Sequence, residues 1–237
     1  KKFAKEFMIK HKIPTARYRI FNKKNIHEAN AFLNTLKSPY VLKADGLAAG
    51  KGVLILTDLN EAKKSLENMI LKKKFGQASE RVVIEEYLNG IEVSSFVLTN
   101  GDSYKIFPMA KDYKRIGAGD TGLNTGGMGA ISPVPFVDKK LFHKIENQII
   151  RPTINGLKKD KIDYLGFLFI GLMIVENEPY VIEYNVRLGD PETEAILPRI
   201  ESDLLEIFLQ LKSSHLQTTN LKVSDLFSST VMTVSKG

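Results

Sequence analysis

VIEYNVRLGDPE, residues 181–192, is the stretch on which the fold turns. Val181, Ile182, Tyr184 and Val186 begin it as a strand. A period of two then puts Glu183, Asn185 and Arg187 on one face and Ile182, Tyr184 and Val186 on the other. A carboxylate and an amide oxygen two residues apart are hard donors, suited to a magnesium ion that keeps water and phosphate oxygens in its other positions. Arg187 adds a fork matched to phosphate. Three polar residues alone would read as a solvated face with one ion pair. Leu188, Gly189, Asp190, Pro191 and Glu192 change the balance, because Gly and Asp-Pro end the strand sharply and bring two more carboxylates to its end.

Just upstream, GFLFIGLMIV (166–175) is an apolar run that predicts a buried strand, turned back by residues 176–178 into an antiparallel hairpin with the first stretch. A second informative pattern is strand, glycine loop, strand: YVLKA, DGLAAGKG, VLILT. It is not a Walker loop, since three residues separate Gly46 from Gly50 and Gly52 follows Lys51. No helix opens after it, which excludes the dinucleotide fingerprint. What remains is a hairpin whose small-residue tip closes over a polyphosphate through backbone N–H groups, with Lys43 and Lys51 supplying charge. A flexible loop with incidental lysines is the plain alternative.

The remaining elements follow from periodicity. Phe3, Phe7, Met8 and His11 predict a helix ending before Pro14, then a short strand over 17–21. A second helix is expected over 26–36, and a third after a capping box of Thr57 or Asp58 with Glu61. RVVIEEY and IEVSSFVL read as strands, the second paired through Asn100-Gly101 with SYKIFPM. Residues 111–133, KDYKRIGAGDTGLNTGGMGAISP, lack periodicity, and their glycines predict a stretch without regular structure, an ordered binding loop with a disordered segment as the plain alternative. Asp138 caps a long helix kinked at Pro152, and two helices span 192–197 and 202–212. Residues 213–226 read as a polar linker and STVMTVS as the first strand of a further domain.

At 237 residues, with 43% hydrophobic and 26% charged residues, the chain has the makeup of a globular protein holding a real core. It has no apolar run of membrane-span length and no signal peptide, so a cytoplasmic protein is expected. The absence of cysteine excludes disulfides and thiolate metal sites, and the four histidines lack ligand spacing. The net charge of +7 is local: residues 1–24 hold nine Lys or Arg beside Glu6, leaving 25 basic and 26 acidic residues elsewhere. That pattern reads as a solvated helix face or an anion-attracting rim rather than a nucleic-acid module. The chain opens at Lys1 in what reads as mid-helix and is expected to be a segment of something longer.

Several stretches together resemble the ATP-grasp domain of the phosphoribosylamine–glycine ligase (glycinamide ribonucleotide synthetase) family. They are FAKEFMIKHKIPTA, VLKADGLAAGKGV, VVIEEYLNG with Glu92, DYKRIGAGDTGLNTGGMGAISPVP, GFLFIGLMI, VIEYNVRLGDPETEAILPR and SDLLE. Tyr113, Leu123 and Leu188 depart from the family's usual His, Pro and Phe without removing a group the chemistry needs. The resemblance implies an α+β ATP-grasp fold, two subdomains clasping ATP between antiparallel sheets. The smaller, flap-bearing subdomain would lie within about 15–90 and the larger catalytic one within 91–212, with the ATP-grasp domain ending near 226 and a truncated C-terminal domain beginning at 227.

It also implies the reaction: glycine, 5-phosphoribosylamine and ATP give glycinamide ribonucleotide, ADP and phosphate through a glycyl phosphate, in purine biosynthesis, by a monomer that binds neither nucleic acid nor membrane. Residue by residue, Glu183 and Asn185 match the ligands of Mg2+ (or Mn2+). Lys1, Lys43 and the flap Ala48, Ala49, Gly50, Lys51 and Gly52 match ATP-phosphate contacts. Glu85, Glu86, Tyr87 and Leu88 match the adenine hinge and Glu92 the ribose acceptor, while Arg187 would stabilise the transferring phosphoryl group. Arg115, Asp120, Asn124, Thr125, Gly126, Gly127 and Asp190 would face glycine and phosphoribosylamine. The alternatives are another ATP-grasp carboxylate–amine ligase, or a nucleotide-binding fragment without turnover.

Overall fold

A computed structural model describes residues 1–48, 52–119, 121–213 and 215–235, apart from the side chains of Leu123 and Asn124. The chain divides into two compact units, one of Lys1–Ile9 and Thr15–Asn89, the other of Lys10–Pro14 and Gly90–Gly237.

The first unit is a four-stranded antiparallel sheet in the order β1-β4-β2-β3, built from β1 (Tyr18–Asn22), β2 (Tyr40–Ala44), β3 (Val53–Leu56) and β4 (Arg81–Glu86). Alternation along β2 and β4 sorts their side chains. Leu42, Ala44, Val82 and Ile84 pack with Phe21 against Phe32 and Leu33 of α2 (Ala29–Leu33) and Ala62, Leu66 and Met69 of α3 (Leu59–Ile70). Their neighbours Val41, Lys43, Val83 and Glu85 alternate with these and so belong to the opposite face, where they too are buried. Asp58 caps α3 by accepting from the Glu61 amide at 2.7 Å. The helix expected over 26–36 is shorter, a 3-10 turn at Ile26–Glu28 followed by α2. In α1 (Lys2–Lys10) the expected apolar stripe is altered: Phe3 is exposed and Lys5 is buried beside Phe7 and Met8.

The second unit is a six-stranded antiparallel sheet in the order β10-β7-β6-β5-β8-β9. Its strands are β5 (Ile91–Thr99), β6 (Tyr104–Gly117), β7 (Thr121–Ser132), β8 (Gly166–Val175), β9 (Glu178–Asn185) and β10 (Ser228–Val231). One core gathers Phe96, Leu98, Phe107 and Phe169 of the sheet with Ile196 of α6 (Glu192–Ile196), Ile207 of α7 (Leu204–Leu209) and Leu216. Ile145, Ile149, Ile150 and Ile154 are buried along α4 (Lys139–Ile145), a π turn (Glu146–Ile150) and α5 (Arg151–Lys159). The change of winding falls just before Pro152, which has no N–H for the helical ladder.

Three expectations are corrected here. Residues 111–133 are mostly strand: β6 and β7 pair from Lys111↔Ile131 to Gly117↔Thr121, with register shifts around Arg115. Ladder bonds are made by the backbone, so glycine-rich chain can pair wherever it is flanked by a partner, and the shifts absorb residues such as Gly122 at φ +85°. Residues 213–226 are not a free linker. Leu216 is fully buried, and Arg199 donates to Ser224 O at 2.8 Å and Leu226 O at 2.9 Å. Finally, Ser228–Val231 pairs with β7 and forms the edge of this same sheet.

Candidate active site

In the first unit the loop after β2 is anchored by close packing. A Cβ on Gly46 would lie 2.6 Å from Ala78 Cα, and one on Gly52 2.7 Å from Ala48 Cβ. The Ala44 amide donates to Gly52 O at 2.8 Å, so the β2–β3 hairpin is formed. Its tip residues Ala49, Gly50 and Lys51 lie outside the described residues. Lys1 stands at the loop's base, its Nζ donating to Gly46 O at 3.3 Å. Asp45 accepts from the Lys1 amino group at 2.9 Å, the Lys2 amide at 2.7 Å and Arg81 Nε at 2.8 Å. Burial alone would raise its carboxyl. The Lys2 amide, the Lys1 amino group and Arg81 outweigh that and hold it down, at about 2.

Lys43 Nζ donates to Glu85 Oε2 at 3.0 Å inside the sheet. Glu85 is therefore a buried ion-pair partner as well as part of the expected hinge. The Glu86 amide is bound to Arg17 O at 3.0 Å and its Oε1 accepts from the Arg17 amide at 2.7 Å, so that N–H is already used. Tyr87 and Leu88 lie past the strand end.

In the second unit, Glu183 and Asn185 emerge together from β9. Asn185 Nδ2 donates to Glu183 Oε1 at 3.2 Å, and both side chains lie outside the core. Among the described residues no group of three or more His, Asp or Glu side chains is arranged to hold a metal. The pair thus offers a carboxylate and an amide oxygen, a donor set that fits an ion retaining water and phosphate ligands. The single-face reading of 182–187 is corrected. β9 ends at Asn185, and the ladder shifts register between Gly171↔Glu183 and Leu172↔Val181. Val186 is consequently exposed rather than apolar-packed. Arg187 lies past the strand, donating to Leu188 O at 2.6 Å.

The turn that follows packs on the glycine-rich strand. A Cβ on Gly127, at φ +143°, would overlap the Pro191 ring and lie 3.4 Å from Asp190 O. On the turn's other side a Cβ on Gly189 would lie 2.7 Å from Glu192 Cδ. TGG and GDPE, about sixty residues apart in sequence, are neighbours in space, with Asp190 exposed between them. Thr125 is committed to its own hairpin: its hydroxyl donates to Lys114 O at 2.8 Å and accepts from the Gly127 amide at 3.1 Å. Gly126 has open space where a Cβ would be. Arg115 pairs in register with Asn124, while Asp120 and the Asn124 side chain lie outside the described residues.

The pairings of Glu92 and Glu192 with Lys114, Asp112 and Ser94 escaped the sequence reading. Glu92 Oε2 accepts from Lys114 Nζ at 2.9 Å, and Lys114 also lies 3.3 Å from Asp112 Oδ2. Burial alone would depress this ammonium. Glu92 and Asp112 reverse that and hold it above its ordinary value. Glu192, 3% exposed, meets Ser94 Oγ at 2.7 Å. Burial, reinforced by nearby Asp112, raises its carboxyl despite that hydrogen bond. The available signal was the two-residue spacing of Asp112 and Lys114, which places them on one face only because this stretch is strand. Their partners on β5 and α6 are remote in sequence.

Residues 1–193 match the family described as phosphoribosylglycinamide synthetase, ATP-grasp (A) domain. The chain belongs to this family. The synthetase relatives include phosphoribosylamine–glycine ligase of Chlorobaculum tepidum, 45% identical over 238 aligned positions that cover all of this chain and 56% of that protein. The bifunctional purine biosynthetic protein of Pichia angusta is 45% identical over all of this chain and 30% of its own length. The chain thus spans about half the length of the former and under a third of the latter. Among solved structures, phosphoribosylamine–glycine ligase of Thermotoga maritima superposes with a TM-score of 0.83 at 37% identity, covering 97% of this chain and 57% of that one. Biotin carboxylase of Campylobacter jejuni, at 17% identity and a TM-score of 0.70 over 93% of this chain and 47% of that one, shares the ATP-grasp fold alone.

Proposed function

We propose that this chain is the ATP-binding and acyl-activating core of a phosphoribosylamine–glycine ligase. A carboxylate is a poor electrophile, so glycine is first activated: its carboxylate oxygen attacks the γ-phosphorus of ATP, the bond to the β-bridging oxygen breaks, and glycyl phosphate and ADP result. The amine of 5-phosphoribosylamine then attacks the acyl carbon, phosphate leaves with the bonding electrons, and the amine sheds a proton as glycinamide ribonucleotide forms. Both steps place charge on phosphate oxygens, which fixed cations and donors stabilise.

In this reading Lys43, Lys1 and the backbone of the loop after Asp45 hold the triphosphate, and Tyr87 and Leu88 present backbone groups to adenine. Glu183 and the amide oxygen of Asn185 hold a divalent cation, magnesium or manganese, which neutralises charge on the β- and γ-phosphates. Arg187 reaches the transferring group. Asp190 and the chain at 124–127 line the amino-acid and ribosyl-amine side, where water must be excluded because an acyl phosphate hydrolyses. The observation that carries the proposal is the packing of Gly127 against Pro191, which brings together the two stretches most specific to the ligase resemblance.

The test is calorimetric titration of Mg-ATP into the wild type, Glu183→Ala and Asn185→Ala, followed by an ADP-release screen over carboxylate and amine pairs. Both variants are expected to lose metal-dependent affinity, and ADP release is expected to require glycine with 5-phosphoribosylamine. Unchanged metal-dependent binding, or release driven by another pair, would refute the assignment.

A further inference from the structure

Glu85 serves two lysines. Lys5 of α1, 2% exposed, brings its Nζ within 3.0 Å of Glu85 Oε2, the same oxygen that accepts from Lys43 Nζ at 3.0 Å. Lys5 spends its other hydrogens on Thr15 Oγ1 at 2.7 Å and Ala16 O at 3.5 Å, and its charge lies 5.4 Å from the Tyr18 ring centre. Its three N–H groups are accounted for. Lys43 is different. Its side chain is 9% exposed, yet among the described residues Glu85 is its one hydrogen-bond partner.

Two buried cations thus share one buried anion, where uncompensated charge is costly. A Lys43–Glu85 pair alone would be neutral and would give a phosphate little net attraction, since the carboxylate repels what the ammonium draws. With Lys5 on the same oxygen, the carboxylate is already matched. The surplus positive charge then falls on the member with unfilled donors. Burial, reinforced by repulsion from Lys43, pushes the Lys5 ammonium down while Glu85 pulls it up, so an arriving anion relieves part of the cluster's own repulsion.

We propose that Lys5 is a positioning residue for nucleotide binding: by neutralising Glu85 it leaves the charge and free N–H groups of Lys43 to a phosphate-bearing ligand. This rests on the reading of Lys43 as a phosphate contact. It also carries a signature that a purely structural lysine lacks. Removing Lys5 leaves a neutral Lys43–Glu85 pair and takes away the cluster's surplus positive charge, so the ligand-free protein should hold or gain thermal stability while its affinity for phosphate falls.

The experiment titrates Mg-ATP and inorganic triphosphate into the full chain and the variants Lys5→Met, Lys43→Met and Lys5→Met with Glu85→Gln, with melting curves taken without ligand. Lys5→Met is expected to weaken both ligands roughly 10- to 100-fold, the span set by one unit charge at this range and a protein-like dielectric, without lowering the melting midpoint. Lys43→Met is expected to abolish triphosphate binding. The double variant, which removes the carboxylate along with its second cation, is expected to recover most of the affinity lost in Lys5→Met. Wild-type affinity in Lys5→Met alongside loss in Lys43→Met overturns the proposal and leaves the Lys43 reading standing. Full affinity in Lys43→Met overturns both. If Lys5→Met weakens folding and binding together, the double variant decides: no recovery of affinity means that Lys5 is merely structural.

Discussion

Gly126 and Gly127 are adjacent and chemically identical, and they should respond oppositely to a single methyl group. At Gly127 the backbone sits at φ +143°, a region that costs an L-residue about 1–2 kcal/mol. The added Cβ would also overlap the Pro191 ring, with Pro191 Cγ 3.1 Å away and Asp190 O at 3.4 Å. Overpacking of that kind costs about 1–3 kcal/mol, because a proline ring has no rotamer by which to yield. Together these give about 2–5 kcal/mol for Gly127→Ala. In a chain of this size each kcal/mol moves the melting midpoint by about 2–4 °C, so the midpoint should fall by roughly 4–20 °C. At Gly126 nothing lies within 4 Å of the place a methyl group would occupy, so Gly126→Ala should stay within about 0.5 kcal/mol of wild type. Circular-dichroism melts of the two variants beside the wild type decide the matter. Equal losses in both, or no loss in Gly127→Ala, would refute the close packing of strand and turn and with it the observation on which the proposed function leans.

Other consequences concern charge and anchoring. Glu192 has a raised folded pKa, so the folded state holds its proton longer than the unfolded state, and stability is lost as pH rises from the ordinary glutamate range through the folded value. Glu192→Gln should therefore be relatively more stable than wild type at pH 8 than at pH 4, as read by urea titrations at the two values; a pH-independent difference would contradict this. Asp45 works in the opposite sense. Its carboxyl, held at about 2 against an ordinary 3.8, contributes stability that is present above pH 4 and lost as pH falls towards 2, so Asp45→Asn should flatten the acid limb of the stability curve. Arg199 donates to Ser132 Oγ, Ser224 O and Leu226 O from a buried position. Arg199→Met should cost about 2–4 kcal/mol and open residues 213–228 to limited proteolysis before the rest of the chain; uniform digestion would show that the segment is held by something else.

The legible parts of the fold were those whose signal is local. The hairpin of β2 and β3 could be read because its strands are apolar and glycines mark the turn between them. β8 and β9 were legible because ten apolar residues meet a turn at Glu176 and Asn177, both at positive φ. The pairing of residues 111–132 was not, since strand prediction relies on side-chain alternation and this stretch is rich in residues that carry none. The division between units, which the family resemblance sets near residue 90, has no signal in the local pattern. β4 and β5 are separated by four residues and read as neighbours, yet their hydrogen bonds go to different sheets, a choice made by partners far away in sequence.

The site divides along the same line. The side-by-side placement of Glu183 and Asn185 could be read because a pleat sets them two apart on one face, and that spacing survives the register shift one step before it. Arg187 could not be placed, because the period of two holds only while the strand does, and the strand ends at Asn185. Lys5 was hidden for a different reason. Helical periodicity assigns lysines to the solvent and phenylalanines to the core, and at the first turn of α1 the chain does the reverse, exposing Phe3 and burying Lys5 against Glu85. A buried charge is stable only with its partner, and that partner lies eighty residues on in strand β4, so no window of sequence around Lys5 contains the reason for its position. Such a reversal of the local rule is itself a pointer to function: a lysine that the fold takes out of water and matches to a carboxylate already holding another lysine does more for the charge of its neighbours than for the helix that carries it.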